Sequence, residues 1–527
     1  MSKSGSQRMR GGQPVFILNE DAQRTQGRDA RSSNIQAGKA IAESVRTTLG
    51  PKGMDKMLVS DAGDVVITND GATILDEMDI EHPAAQMLVE VAETQEESVG
   101  DGTTSAAILA GQLLSEAEDF IGDEIHPTTL VEGFSHARDI AIEALEGEVL
   151  DVDVDDEVLR NVALSAMTGK GTGGIAAERL ADGIVHAIRQ VEADGTIHDE
   201  DIQIVAQPGE SASATEVVDG VIIDEEPLSE DMPRLVEDAT VAVIDADLET
   251  RETEVDVEYN VQSAAQLDSA IESEQRELRK YADSLLDAGV DVAFVTGDVA
   301  DMTAGFLAKE GILAYDSIDS GEADSIVRTT GASRLATVED IEEADLGHAD
   351  ELSVETFGED ELLFVSGGVE ANAVTIFVRA GTEHVLDELE RAIQDGLDAA
   401  TAAAETESVV PGAGCTEVRL ANAVRDAATA VEGREQLAVE AFADALDSIP
   451  RTIAENTGMD PIDALVEIRA ANEDGRGGII AESERGTVED PVEHGILDPA
   501  SVKREILGSA TEAATMIVRI DDVISAE

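Results

Sequence analysis

The chain has 527 residues, 35 of them Lys or Arg and 114 Asp or Glu, for a formal net charge of −79 at pH 7. That length exceeds one ordinary core and predicts two or three domains, while the lack of any basic stripe excludes nucleic acid as a partner. Aromatic residues are only 2% of the chain, but 42% is hydrophobic and the apolar periodicity runs nearly end to end, which predicts a folded chain and not an acidic disordered one. A single cysteine, Cys415, rules out an internal disulfide framework. Residues 1–30 hold no apolar leader, and no unbroken apolar run reaches about 18 residues, so a soluble, cytoplasmic protein without a membrane partner is expected.

Pro14–Leu18 reads as a short strand. Ser33 and Gln36 make a capping-box pattern ahead of Ile41, Val45 and Leu49, whose fourfold spacing predicts a helix that stops at Gly50-Pro51-Lys52-Gly53. Residues 57–60 and 65–68, joined by Asp61-Ala62-Gly63-Asp64, predict a β-hairpin, and Asn69-Asp70-Gly71 leads into a helix near Ile74 and Leu75. Helical patterns dominate to about residue 150 and continue from about 155 to 215, broken at Thr168-Gly169-Lys170-Gly171 and ending in a strand near Ile202–Val205. From about 220 the texture alternates: strands at 241–244, 292–295 and 312–315, helices at 264–289 and 299–310, as in a separate α/β domain. A strand at 374–378 leads into a long helix at about 383–407. Helical texture then returns to 515, with a closing strand at Met516–Ile520. The outer segments resemble each other and the middle does not, which predicts nested insertion of one domain in another.

The chemistry concentrates in glycine–carboxylate–hydroxyl loops. No Gly-x-x-x-x-Gly-Lys-Ser/Thr phosphate loop and no His-Glu-x-x-His or Cys-x-x-Cys zinc pattern occurs. In Gly100-Asp101-Gly102-Thr103-Thr104-Ser105 the glycines permit close backbone approach, and three hydroxyls open a helix whose free N–H groups favour anions. A carboxylate there suits a hard cation such as Mg²⁺ between Asp101 and phosphate oxygens; the plain alternative is a helix–turn–helix with Gly100 as stop and Asp101 or Thr103 as N-cap. Thr48-Leu49-Gly50-Pro51-Lys52-Gly53 is a helix stop or a backbone cradle for phosphate. Asp70 is a cap or lies near a metal or attacking water. Lys170 stands out because lysine is scarce in this chain, whereas Asp395 looks like the solvated acids around it. Gly412-Ala413-Gly414 is a turn suited to passing close to a ribose or base.

Taken together, Thr48–Met57, Asn69–Ile74, Gly100–Ser105, Thr168–Gly171, Gly381–Glu388 and Arg519–Val523 resemble the group II chaperonins, the archaeal thermosome class, in order from about residue 14 onward. With the acidic composition, the resemblance points to a halophilic archaeon. It implies a multidomain α+β chaperonin fold: a mostly helical equatorial ATPase domain (1–151 and 408–527), a small α/β intermediate domain (152–219 and 374–407) and an α/β apical domain (220–373) with a helical lid protrusion near Glu254–Leu285. It implies an ATP-driven double-ring folding chamber with ATP and Mg²⁺ as cofactors and K⁺ as a further candidate. Its partners would be unfolded or partly folded proteins, copies of itself and related subunits, with a built-in lid in place of a separate co-chaperonin cap. By the family's motifs, Asp101 would hold Mg²⁺ while Gly102, Thr103, Thr104 and Ser105 contact phosphates. Thr48, Leu49, Gly50, Pro51 and Gly71 would line the nucleotide, and Asp70 would position metal and water. Asp395 would orient the attacking water, Lys170 would sense the γ-phosphate, and Gly412, Gly414 and Asp498 would meet ribose and base. The hairpin at 57–68 and the terminal strands would pair across subunits. Ala413 stands where the family has a third glycine. Two other readings remain open, a subunit that binds nucleotide without turnover and a small-molecule phosphotransferase centred on the α/β middle.

Self-repulsion of this size destabilises a compact state, and at molar salt the screening length falls to about 3 Å. A working environment of multimolar salt follows, and the melting temperature is expected to climb steeply as KCl is raised from millimolar to multimolar. Circular dichroism melts across that range check this; a sharp transition that does not move in low-salt buffer would contradict it.

Overall fold

The computed structural model describes residues 23–60, 63, 65–171, 175–192, 197–198, 201–250, 264–339, 341–358, 360–368 and 373–525. The strand expected at Pro14–Leu18 lies outside them, as do most of the hairpin turn and the first part of the expected lid segment. The fold is built around three large hydrophobic cores.

The first core is helical and draws on both ends of the chain, from Ile35 to Leu145 and from Val410 to Val518. Its centre is the helix Thr103–Gly122, where Ala106, Leu109, Ala110, Leu113, Leu114 and Ala117 are buried at helical spacing. That stripe packs against the helices Arg28–Val45 and Ala500–Arg519. The hairpin Lys56–Val59/Val65–Thr68 pairs antiparallel as expected, and its outer face leaves Met57 and Val59 exposed.

The second core, spanning Val221 to Ala373, surrounds a seven-stranded sheet flanked by the helices Ala264–Ala288, Asp301–Glu310 and Ser320–Thr330. Parallel strands Leu235–Ile244, Val292–Val295 and Leu313–Tyr315 form one half, and antiparallel strands Gly347–Phe357, Asp360–Ser366 and Gly220–Ile223 extend the other. Four-residue apolar runs such as 292–295 become strands because both of their faces are covered.

Between these lies the third core, around a three-stranded sheet and the helices Asp156–Met167, Ala177–Val191 and Glu383–Thr406. Its middle strand, Val374–Ala380, is buried at every position and pairs parallel with Ile202–Pro208 and antiparallel with Glu216–Val218. The returning chain is thus hydrogen-bonded to the outgoing one, so both crossings are held in a single sheet. Where the second and third cores meet, Phe357, Phe364 and Phe377 cluster, and the buried Arg379 guanidinium lies 4.6 Å and 5.1 Å from the Phe357 and Phe377 ring centres.

Three expectations are corrected. Met516–Ile520 is not a strand: the helix Ala500–Arg519 runs through it, because Ala510, Ala513, Ala514, Ile517 and Val518 continue one buried helical stripe while Met516 faces water. The closing strand is Asp522–Ser525, which pairs with Gln23–Gln26. That pairing, with Gly27 N–H donating to Asp521 O (2.8 Å), delivers the chain into its first helix at Arg28, so Ser33 and Gln36 fall inside the helix and cap nothing. Residues 408–515 are also not continuously helical, since short strands at Val409–Pro411 and Leu497–Pro499 pair with each other and Gly478–Ile480 pairs with Thr487–Glu489.

The first core encloses the charged group of Asp447, which is 0% exposed and takes ion pairs from Arg425 and Arg469. Removing a buried partner strands the others, so Asp447→Ala should cost about 3–5 kcal/mol of stability. The loss should be nearly the same at 1 M and 3 M KCl, unlike the exposed Arg138–Asp139 pair, worth at most about 1 kcal/mol. Denaturant unfolding at the two salt concentrations measures both.

Candidate active site

A cleft of about 440 Å³ opens where the first core faces the third. Its wall on the first core's side is the turn between the helices Pro83–Val99 and Thr103–Gly122. Gly100 ends the first helix with φ 61°, and Gly102 precedes the second with φ 87°, a left-handed conformation that costs a side chain strain. No side chain caps that second helix. Asp101 is not its cap, and neither is Thr103: Asp101 Oδ1 accepts from the Gly102 amide (2.6 Å), and Thr103 Oγ1 donates to Glu96 Oε2 (2.6 Å). The amides of the first turn at Thr103, Thr104 and Ser105 therefore remain on the cleft wall as an anion-binding edge.

Two further loops complete that wall. Thr48, Leu49, Gly50 and Pro51 follow the first helix, with Leu49 O held by Asn456 Nδ2 (2.8 Å). Asp70 caps the short helix Gly71–Asp76 by accepting from Thr73 N (2.7 Å) and Thr73 Oγ1 (2.8 Å), and it also lines the cleft. Cap and site are thus the same residue. Gly71 leaves no room for a side chain, because a Cβ would lie 2.3 Å from Thr104 Oγ1.

The third core supplies the opposite wall. Lys170 pairs with Asp395, which is 4% exposed on the helix Glu383–Thr406. The Thr168–Gly171 loop is docked on the first core: Asn69 Nδ2 donates to Gly169 O (2.6 Å), and a Cβ at Gly169 would lie 2.5 Å from Gly50 O. Gly414 and Asp498 also line the cleft, with the apolar Ile449, Ile453, Ile480 and Ala481. Gly412 does not line it; it sits behind Asp498, with its missing Cβ 3.0 Å from Asp498 Oδ1.

The electrostatics describe a wall rich in negative charge. Burial pushes the Asp101 carboxyl above its ordinary value, opposed by Lys170 and reinforced by Asp498. Burial likewise raises Glu96 to about 7, against its Thr103 hydrogen bond and with added push from Asp70. Among the described residues no three carboxylates, histidines or cysteines converge into a self-sufficient metal site. The donor set fits Mg²⁺ in the way that ion is usually held, by one or two carboxylates plus the phosphates of a substrate, and Asp101 is the carboxylate beside the anion-binding amides.

Among the lining residues that escaped the reading of the sequence are Asn69, Glu96, Glu417 and Lys503. Lys503 bridges Glu417 Oε1 (2.5 Å) and Asp498 Oδ2 (2.7 Å). The scarcity that singled out Lys170 applies equally to Lys503, one of eight lysines in the chain.

Residues 41–527 match the TCP-1/cpn60 chaperonin family. Thermosome subunit 3 of Haloferax volcanii is 58% identical over 98% of this chain and 99% of its own length. Thermosome subunit alpha of Halobacterium salinarum is 50% identical over 98% and 92%, and a thermosome subunit of Methanopyrus kandleri 48% over 98% and 95%. With agreement over nearly its whole length, the chain belongs to the TCP-1/cpn60 chaperonin family.

Proposed function

We propose that the cleft binds and hydrolyses Mg-ATP and that turnover closes a built-in lid over a double-ring chamber in which unfolded proteins fold. The observation that carries this reading is the meeting of Asp101 and the free amides of Thr103–Ser105, from one core, with Lys170 and Asp395, from another. In this reading residues 1–151 and 408–527 are the ATPase base, 152–219 and 374–407 the lever, and 220–373 the client-binding and lid-bearing part. The rings would contain copies of this chain, and relatives named as subunits 1, 2 and 3 in one organism, Haloferax volcanii, favour mixed rings. The setting would be the cytoplasm, with K⁺ the abundant monovalent ion.

Phosphoryl transfer needs alignment and charge stabilisation more than covalent help. The Gly102 turn, the amides of Thr103–Ser105 and the loop Thr48–Pro51 would hold the phosphates, with Asp70 and Gly71 completing that wall. A divalent cation held by Asp101 would neutralise charge on the phosphate oxygens. Asp395 would orient the attacking water and accept its proton. A γ-phosphate competes with Asp395 for the Lys170 ammonium, so nucleotide arrival frees the carboxylate for water, and phosphate loss restores the pair. Because Lys170 and Asp395 reach the cleft from the third core, hydrolysis requires the two cores to stay closed on each other.

Asp395→Ala should lower the ATP hydrolysis rate by about 10²–10⁴-fold. Its ATP affinity should remain within about threefold of the parent, by steady-state phosphate release and equilibrium binding. Hydrolysis at the parent rate would remove Asp395 from the mechanism. Asn69→Ala breaks the hydrogen bond that docks the Lys170 loop, worth about 1 kcal/mol. It should reduce kcat about fivefold with little change in affinity, measured in the same assays.

A further inference from the structure

Two segments that meet at the rim of the cleft are anchored in different cores. The hairpin of Gly478–Ile480 and Thr487–Glu489 is rooted in the first core through Ile479. The turn at residues 491–497 is rooted in the third. Leu497 is buried there, and its N–H donates to Ser165 Oγ (3.0 Å). A Cβ on Gly495, at φ 67°, would lie 2.8 Å from Asn161 Oδ1. Asn161 and Ser165 both belong to the helix Asp156–Met167, which leads into the Lys170 loop. From this turn His494 spans the hairpin: its Nδ1 lies 2.8 Å from Glu482 Oε1, just past the first strand, and its Nε2 lies 3.0 Å from Glu489 Oε2, at the end of the second. His494 and Glu482 line the cleft beside Ile480 and Ala481.

An ionised carboxylate only accepts hydrogen bonds, so a ring held by two of them has to donate from both nitrogens. The arrangement is complete for the imidazolium form alone; a neutral ring gives up one hydrogen bond and both charge attractions. The surroundings agree with this. The Glu482 hydrogen bond raises His494 above its ordinary value, with Glu489 adding to it and partial burial opposing it, while Thr487 and His494 hold Glu489 below its own. Glu482 and Glu489 are the charges that bear on the ring. The third-core helix meets the turn with the neutral Asn161 and Ser165. Asp490, in the turn itself, accepts from Val492 N (3.0 Å), and Glu493 is exposed beside it. Beyond Glu482 the Lys52 ammonium donates to Ser483 O (2.7 Å) and Glu484 O (2.6 Å). His494 is half-buried and in direct contact with both partners, so salt screens these pairs less than it screens charges facing each other across water.

We infer that His494, doubly protonated, is a clasp that fastens the third core's turn to the first core's hairpin across the rim of the cleft, and that its deprotonation speeds nucleotide exchange. The inference rests on the nucleotide reading of the cleft and adds to it a pH-dependent control. His494 is a positioning residue: it acts on the nucleotide through the hairpin segment 480–482. Because its partners raise it, the clasp is fully fastened below the ordinary histidine value and opens as pH climbs through the raised one.

The test is release of radiolabelled ADP from the assembled protein in multimolar KCl with Mg²⁺, chased with unlabelled ADP and followed by rapid filtration as pH is varied. Two partly exposed ion pairs, each worth up to about fivefold, predict release in the parent roughly tenfold faster at about pH 9 than at about pH 6. His494→Gln should release fast throughout that range, and His494→Arg, charged at every pH and able to reach both carboxylates, should release slowly throughout. A role in packing alone would not give two opposite plateaus. Glu96, raised to about 7, acts alike in all three proteins, so the difference between parent and variants isolates His494. Glu489→Gln, at the half-exposed end of the clasp, should move the midpoint of the step down toward the ordinary histidine value, and it carries the test if the His494 variants do not assemble. A parent whose release does not change with pH, or variants that keep the parent's step and midpoint, would overturn the inference while leaving the nucleotide site standing. Failure of the folded parent to bind ADP at all would overturn the nucleotide reading, and the inference with it.

Discussion

The Lys170–Asp395 ion pair joins a loop and a helix of the third core and stands opposite Asp101, which belongs to the first. Neither wall holds a complete set of groups for phosphoryl transfer. The helix N-terminus at Thr103 has free amides and a carboxylate, and on the proposed reading the Glu383–Thr406 helix would supply the base, Asp395, but nothing to hold phosphate. The docking of Gly169 against Asn69 and Gly50 makes the two walls one site. Val374–Ala380 ties the outgoing and returning strands together in the sheet of the third core. The Phe357–Phe364–Phe377 cluster around Arg379 lies where that sheet meets the second core.

A second constraint is charge. A chain with 114 acidic and 35 basic residues has to accommodate a polyanion for this chemistry. On the proposed reading it would meet the phosphates with backbone amides, whose partial charges add nothing to the formal balance and are insensitive to pH. Burial raises the Asp101 and Glu96 carboxyls on that wall, and a divalent cation there would favour their charged forms. Lysine appears where a point charge is needed inside the cleft, at Lys170 and Lys503, both paired with carboxylates and both shielded from the salt around the molecule.

Much of this was legible in the sequence, for a physical reason. The cleft wall on the first core's side is built from contiguous loops, so Gly100–Ser105, Thr48–Gly53 and Asn69–Gly71 announce themselves in local order. Strands of the α/β core were readable because four apolar residues between helices have few other fates. What was not legible depends on contacts distant in sequence. Glu417 and Lys503 are 86 residues apart, and each alone looks like a helical surface charge. Asn69 reads as a turn residue until Gly169 is placed against it. Met516–Ile520 reads as a strand because five residues cannot separate a period of 2 from a period of 3.6; only the buried stripe from Ala510 decides it. The Ser33–Gln36 capping signature was overruled by the pairing of the two chain ends, which starts the helix earlier.

On the proposed reading one nucleotide is held between two cores that close on each other. Electron cryo-microscopy of the protein in multimolar KCl, with Mg²⁺, ADP and a γ-phosphate transition-state mimic, tests it most directly. Stacked rings with nucleotide density in this cleft are expected, with phosphates on the Thr103–Ser105 amides, metal at Asp101, and Asp395 facing the mimic with Lys170 transferred to it. Nucleotide bound elsewhere, or bound here with Lys170 and Asp395 drawn away from the phosphates, would contradict it.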